Sequence, residues 1–275
     1  MSFLKVCLLF LCLSTLQLHA QPIKIVAAEN FYGFVAQQIS DSSAEVISIM
    51  SNPNQDPHEF QANAKTAQAV ADADIVIYNG LGYDTWMEKL LSTRGKKERL
   101  VISVASLVGA PKGANPHLWY DPKTMPALAT KLATVLKKSE AAVAFTTSMQ
   151  PLFDKITALK IKTTGLQVTA TEPIFGYMAF VLGFQMLNES YQQAIMNDAT
   201  PSFQQTVTFE KSLTSHTAKI LFENSQASNP ATERMIRIAK QEKIPVIAVT
   251  EMQPPEAKSY VAWMLLELQK VEEAL

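Results

Sequence analysis

Eight short apolar runs, rich in β-branched residues, punctuate the chain at fairly regular intervals. In the first half they are "KIVAAE" (24–29), "EVISIM" (45–50), "DIVIYNG" (74–80) and "LVISVA" (100–105). In the second half they are "LQVTAT" (166–171), "FQMLNE" (184–189), "KILFEN" (219–224) and "IPVIAVT" (244–250). Several are nearly continuous rather than alternating, which suits parallel strands covered on both faces. Intervals such as "NAKTAQAVADA" and "NPATERMIRIAKQEK" have the polar–apolar spacing of crossover helices. The pattern therefore predicts an α/β fold of two lobes, each with a four-stranded, mostly parallel sheet flanked by helices. Between the two sets, from about Pro122 to Lys162, there is helical patterning without a strand signal, and Pro151 marks a kink or break. No Gly/Ser/Pro-rich linker separates the halves, so a stiff helical connection is expected.

The amino terminus changes the picture. Residues 1–20, "MSFLKVCLLFLCLSTLQLHA", run from a lysine through an apolar stretch to a small residue, the layout of a cleavable export signal ending at Ala20. Its apolar run is too short to span a bilayer. Cleavage leaves 255 residues, takes both cysteines, Cys7 and Cys12, and leaves a net charge of −2. The mature chain then relies on packing, without disulfides, and its charge does not suit nucleic acid or an anionic membrane surface.

In open α/β sheets, ligands bind beyond the carboxyl ends of the strands. Four side chains with metal-binding chemistry fall there: His58 in "QDPHEF", His117 in "NPHLWYDP", Glu172 in "TEPIFGYMAF" and Glu251 in "TEMQPP". Two imidazoles and two carboxylates make a full shell for a divalent cation, and the two negative charges offset those of the ion. Each residue also has a plainer reading, as a solvated loop histidine, a helix cap or a surface acid. Glu223, at the end of "KILFE", competes as a ligand from the second half. Asp56, Glu59 and Asp121 are candidates to orient the histidines. Trp119 and Tyr120 suit either a roof over the site or packing, and His216 precedes a strand and reads as surface. No HExxH helix or G-x-S-x-G elbow is present, which argues against a hydrolase. An exported adhesin with a structural metal is a competing reading.

The stretches "QDPHEFQANAKTAQAVADADIVIYNGLGYDTWMEKLL", "NPHLWYDP", "TEPIFGYMAFVLGF" and "FENSQASNPATERMIRIAKQEKIPVIAVTE" resemble the solute-binding proteins that supply zinc or manganese to ABC importers. The resemblance implies two α/β lobes joined by one long backbone helix. It divides the chain into a lobe at 21–138, a linking helix near 139–161 and a lobe at 162–275. By position it implies His58, His117, Glu172 and Glu251 as metal ligands. Glu172 stands where zinc-type members carry histidine and manganese-type members carry glutamate. Glu251 stands where aspartate is usual. The implied function is that of a periplasmic monomer that carries Mn²⁺ or Zn²⁺ to a membrane permease, without catalysis. Two His and two Glu lean towards Mn²⁺, whereas intrinsic affinity favours Zn²⁺.

Overall fold

The computed structural model describes residues 21–52, 60–93 and 95–275. The expected export signal, together with Asp56, His58 and Glu59, lies outside the described residues.

All eight apolar runs form strands: β1 (Ile23–Glu29), β2 (Ala44–Met50), β3 (Ile75–Tyr78), β4 (Leu100–Ser103), β5 (Gln167–Ala170), β6 (Gln185–Met186), β7 (Leu221–Asn224) and β8 (Val246–Val249). They build two four-stranded sheets with orders β2-β1-β3-β4 and β6-β5-β7-β8. Every pairing is parallel, with registers such as Ile25↔Ile75 and Phe222↔Ile247. The two halves thus repeat one topology. In each, the chain reverses direction across the sheet between the first and third strands, the place where such sheets open a ligand crevice.

The first sheet carries α1 (Asn30–Ser40), α2 (Ala64–Asp72), α3 (Thr85–Leu91), α4 (Val104–Leu107) and α5 (Thr124–Leu136). The interval 139–161 is helical in two segments, α6 (Ser139–Ser148) and α7 (Gln150–Thr163), which abut at Met149. Pro151 sits in the first turn of α7, where its missing N–H costs no helical hydrogen bond. The second sheet carries α8 (Gly176–Val181), α9 (Glu189–Met196), α10 (Phe203–Thr214), α11 (Pro230–Gln241) and α12 (Tyr260–Glu273). None of the described helices is long and apolar enough to cross a membrane.

One hydrophobic core runs through both halves, from Ile25 and Phe31 to Trp263 and Val271. Aromatic rings form its middle. Phe31 packs on Trp119 and Trp263 at centroid distances of 4.8 and 5.7 Å, and Tyr120 meets Phe175 and Trp263 at 5.3 and 5.8 Å. A smaller apolar cluster around Tyr191, Phe209 and Met235 lies under α9, α10 and α11. The large shared core, with hydrogen bonds such as Tyr260 Oη to the Trp119 carbonyl (2.7 Å), fixes the carboxyl edges of the two sheets against each other.

Candidate metal centre

Glu172 lies two residues beyond β5, and Glu251 two beyond β8. His117 ends a loop that returns to the tip of β3, and a 3-10 turn (Leu118–Tyr120) follows it. That loop is held by Asn79, just after β3, whose Nδ2 donates to the Pro116 carbonyl at 2.9 Å. Asn79 in turn accepts from Tyr32 Oη at 2.6 Å. The turn at Gly80 needs positive φ (84°), which glycine adopts without strain.

The result is a buried cluster. Donor atoms of His117, Glu172 and Glu251 all lie within 4.8 Å of one another. Their residues are 0%, 4% and 0% exposed. His117 Nε2 stands 3.4 Å from Glu251 Oε1. On its other side, His117 Nδ1 lies 2.6 Å from Asn115 Oδ1, which also accepts from the His117 backbone N–H at 3.1 Å. An amide oxygen accepts only, so Nδ1 carries the proton and Nε2 presents a lone pair. That lone pair faces a carboxylate oxygen, itself an acceptor. A cation or a shared proton is needed between them.

The two carboxylates are tied by an amide. Asn224 Nδ2 donates to Glu251 Oε1 at 2.7 Å and to Glu172 Oε2 at 3.2 Å. Tyr83 Oη donates to Glu251 Oε2 at 3.2 Å. Gln226 Oε1 accepts from the backbone N–H groups of Glu251 and Met252 at 2.5 and 2.9 Å. A cavity of ≈ 290 Å³, lined by Leu81, Tyr83, Pro116, Gln193 and Met196 among others, adjoins the site between the two halves.

The other sequence candidates resolve as follows. Glu223 is a half-buried residue of β7 outside the cluster. Glu172 makes no side-chain cap to the turn after it. Asp121 does not orient His117: its Oδ1 accepts from the Lys123 N–H, and Asn115 takes the orienting place. Trp119 and Tyr120 are fully buried and serve the core, although Trp119 also meets the His117 ring edge-on at 5.3 Å. His216 is on the surface, 3.5 Å from Glu242. Sequence reasoning passed over Asn115, Asn224, Gln226 and Tyr83.

A second acidic pair lies behind the centre. Glu29, at the tip of β1, is fully buried, with the Asp84 carboxyl as its neighbour. Burial, reinforced by the nearby Asp84 charge, raises its pKa well above the usual carboxylate range. Asp84 is pushed up to about 6 by burial, against the pull of the Gly80 and Asn79 backbone N–H groups it accepts. A raised carboxyl pKa contributes stability at pH below the unfolded value and loses it as pH climbs to the folded one. For Asp84 that window runs from about 3.9 in the unfolded chain to about 6. For Glu29 it opens at about 4.3 and extends upward. Glu29→Gln removes that group's share of the loss. Its melting temperature is expected to exceed wild type at pH 8 and to match it near pH 4, read by thermal melts across pH. A variant less stable at both ends would show that the carboxyl is not a strained charge.

Comparison with known proteins places the chain. Residues 25–274 match the family described as ZnuA, zinc-uptake complex component A, periplasmic. The chain belongs to this family. ZnuA-family proteins are binding components of metal uptake rather than enzymes. Among relatives, a manganese-binding lipoprotein MntA of Halalkalibacterium halodurans is 30% identical over 108 residues, which cover 38% of this chain and 35% of that one. The manganese ABC transporter substrate-binding lipoprotein PsaA of Streptococcus pneumoniae is 23% identical over 285 residues, covering 93% of this chain and 90% of its own. The solved periplasmic zinc binding protein TroA of Treponema pallidum shares the fold at a TM-score of 0.72. It is 17% identical, with 92% of this chain and 99% of TroA covered.

Proposed function

We propose that this protein captures a divalent transition metal, Mn²⁺ or Zn²⁺, outside the cytoplasm and delivers it to the permease of an ABC importer. The observation that carries the reading is the buried convergence of His117 Nε2, as a lone-pair donor, with the carboxylates of Glu172 and Glu251. The donors come from opposite sheets, so a cation between them joins the halves. Two carboxylates balance a doubly charged cargo, and burial makes that match costly to violate. His58 is the fourth ligand by resemblance, and it completes a two-imidazole, two-carboxylate shell. The export signal at 1–20 sends the chain to the periplasm, where it acts as a monomer. Residues 21–138 and 162–275 are the lobes, and the helical interval 139–161 is the link between them.

The family likeness supports cargo binding, and relatives named for manganese and for zinc support these two ions. The test is a melting curve of the chelator-treated protein with and without each metal. A ligand that binds only the folded form at a few hundred times its Kd adds about 3–4 kcal/mol of stability. Mn²⁺, Zn²⁺ or both are expected to raise the midpoint accordingly. A melt unchanged by both ions overturns the reading. Elemental analysis of protein taken from its native compartment then identifies the cargo.

A further inference from the structure

We propose that Asn224, aided by Tyr83, is the specificity-determining residue of the centre: it holds both carboxylates to one coordinating oxygen each and so favours Zn²⁺ over Mn²⁺. The inference rests on the metal-capture reading above and deepens it.

Both oxygens of Glu251 are engaged from different directions. Oε1, the oxygen that faces His117 Nε2, accepts from Asn224 Nδ2 at 2.7 Å, and Oε2 accepts from Tyr83 Oη at 3.2 Å. The main chain beneath is pinned by Gln226 through two N–H groups. Bidentate chelation requires a carboxylate to turn until both oxygens are nearly equidistant from the ion. Here that turn breaks the Tyr83 bond, the Asn224 bond or both. On Glu172, Oε2 is likewise held by Asn224, at 3.2 Å.

The amide cannot easily trade roles. Asn224 Oδ1 accepts from the Gln226 backbone N–H at 3.0 Å, which aims the NH₂ group at the two acids. A flipped amide would set its own donor against that N–H and its oxygen against the carboxylates. Asn224 is 4% exposed, so water is a poor substitute for these partners. A neutral two-hydrogen donor at the end of β7 therefore fixes the spacing and the facing oxygens of two anions that would otherwise repel.

Coordination number follows. One oxygen from each carboxylate and His117 Nε2 make three donors among the described residues, and His58, the fourth ligand of the proposed function, would bring the number to four. Zn²⁺ accepts four-coordinate tetrahedral sites readily, whereas Mn²⁺ suits oxygen-rich shells of higher number. The carboxylate count alone leans towards Mn²⁺, but the restraint on each carboxylate opposes it. Removing the amide frees Glu172 Oε2 and loosens Glu251, while removing the Tyr83 hydroxyl frees Glu251 Oε2; each change allows one more oxygen contact, which helps Mn²⁺ more than Zn²⁺.

The experiment measures Zn²⁺ and Mn²⁺ affinities by chelator competition on the mature wild type, Asn224→Ala and Tyr83→Phe. Visible spectra of the Co²⁺-loaded forms accompany it. Loss of an outer partner typically changes metal affinity about 10–100-fold. In Asn224→Ala the Zn²⁺:Mn²⁺ affinity ratio is expected to fall at least about tenfold. The strong Co²⁺ absorption of a four-coordinate site should weaken. Tyr83→Phe, which deletes one hydroxyl and keeps the ring, should shift both readouts the same way by less, and it decides the matter if Asn224→Ala fails to fold. Equal changes in both affinities with an unaltered Co²⁺ spectrum would reduce Asn224 to a structural role and overturn the proposal. A wild type that binds neither ion would instead overturn the metal-capture reading itself.

Discussion

Glu251→Ala is expected to abolish high-affinity metal binding while the protein stays folded. Four-ligand zinc sites in small domains bind with about 10–16 kcal/mol in total. An equal share per ligand is about 3 kcal/mol, or roughly a hundredfold in Kd. Glu251 exceeds an equal share, because its Oε1 is the oxygen opposite His117 Nε2 and its charge is half of the anionic complement. The variant should lose the metal-dependent rise in melting temperature, read by calorimetric titration and thermal melts. Glu223→Ala is the matched control, one residue from Asn224 in the same strand but outside the cluster. Normal binding by Glu251→Ala together with a loss in Glu223→Ala would reverse the assignment.

The second large effect concerns stability. Trp263→Ala removes a fully buried indole from α12 that packs against Phe31, Tyr120 and Tyr260. Truncating such a ring costs about 3–5 kcal/mol, through lost transfer energy and the cavity left behind. At about 2–4 °C per kcal/mol for a chain of this size, the midpoint should drop by roughly 6–20 °C. The indole has a further role, since its Nε1 donates to Thr250 Oγ1 at 2.8 Å. Tyr120 Oη holds the Thr250 carbonyl, also at 2.8 Å. Thr250 immediately precedes Glu251, so the variant should also weaken metal binding below the melting range. A melt within 2 °C of wild type would mean that the aromatic middle of the core relaxes around the gap.

Much of this molecule could be read from its sequence, for physical reasons. Parallel strands buried on both faces have to be nearly continuous apolar runs, and each of the eight runs became a strand. Their carboxyl ends then marked where polar chemistry would gather, and His117, Glu172 and Glu251 meet there. The less visible part was the set of groups that hold those side chains. Glu223 and Asn224 are adjacent in β7, and side chains alternate faces along a strand, so only one of the two can enter the site. The apolar pattern does not say which, because both neighbours are polar. Register decides, and it turns Asn224 inward. Asn115 left a fainter trace, two residues before His117, the spacing at which an Asn side chain caps a backbone N–H. The acid pair Glu29 and Asp84 gave no signal, since burial of a carboxyl is a tertiary fact.

The two halves of this protein are already clasped. Tyr83 reaches Glu251, Tyr120 reaches Thr250, Asn115 reaches Pro173, and Tyr177 reaches back to Asn115, all across the divide. Set over a shared core, these bonds oppose any separation of the halves, since gross opening would break all four at once. Under the proposed function, a permease is therefore expected to read loops and charge at the rim rather than outline.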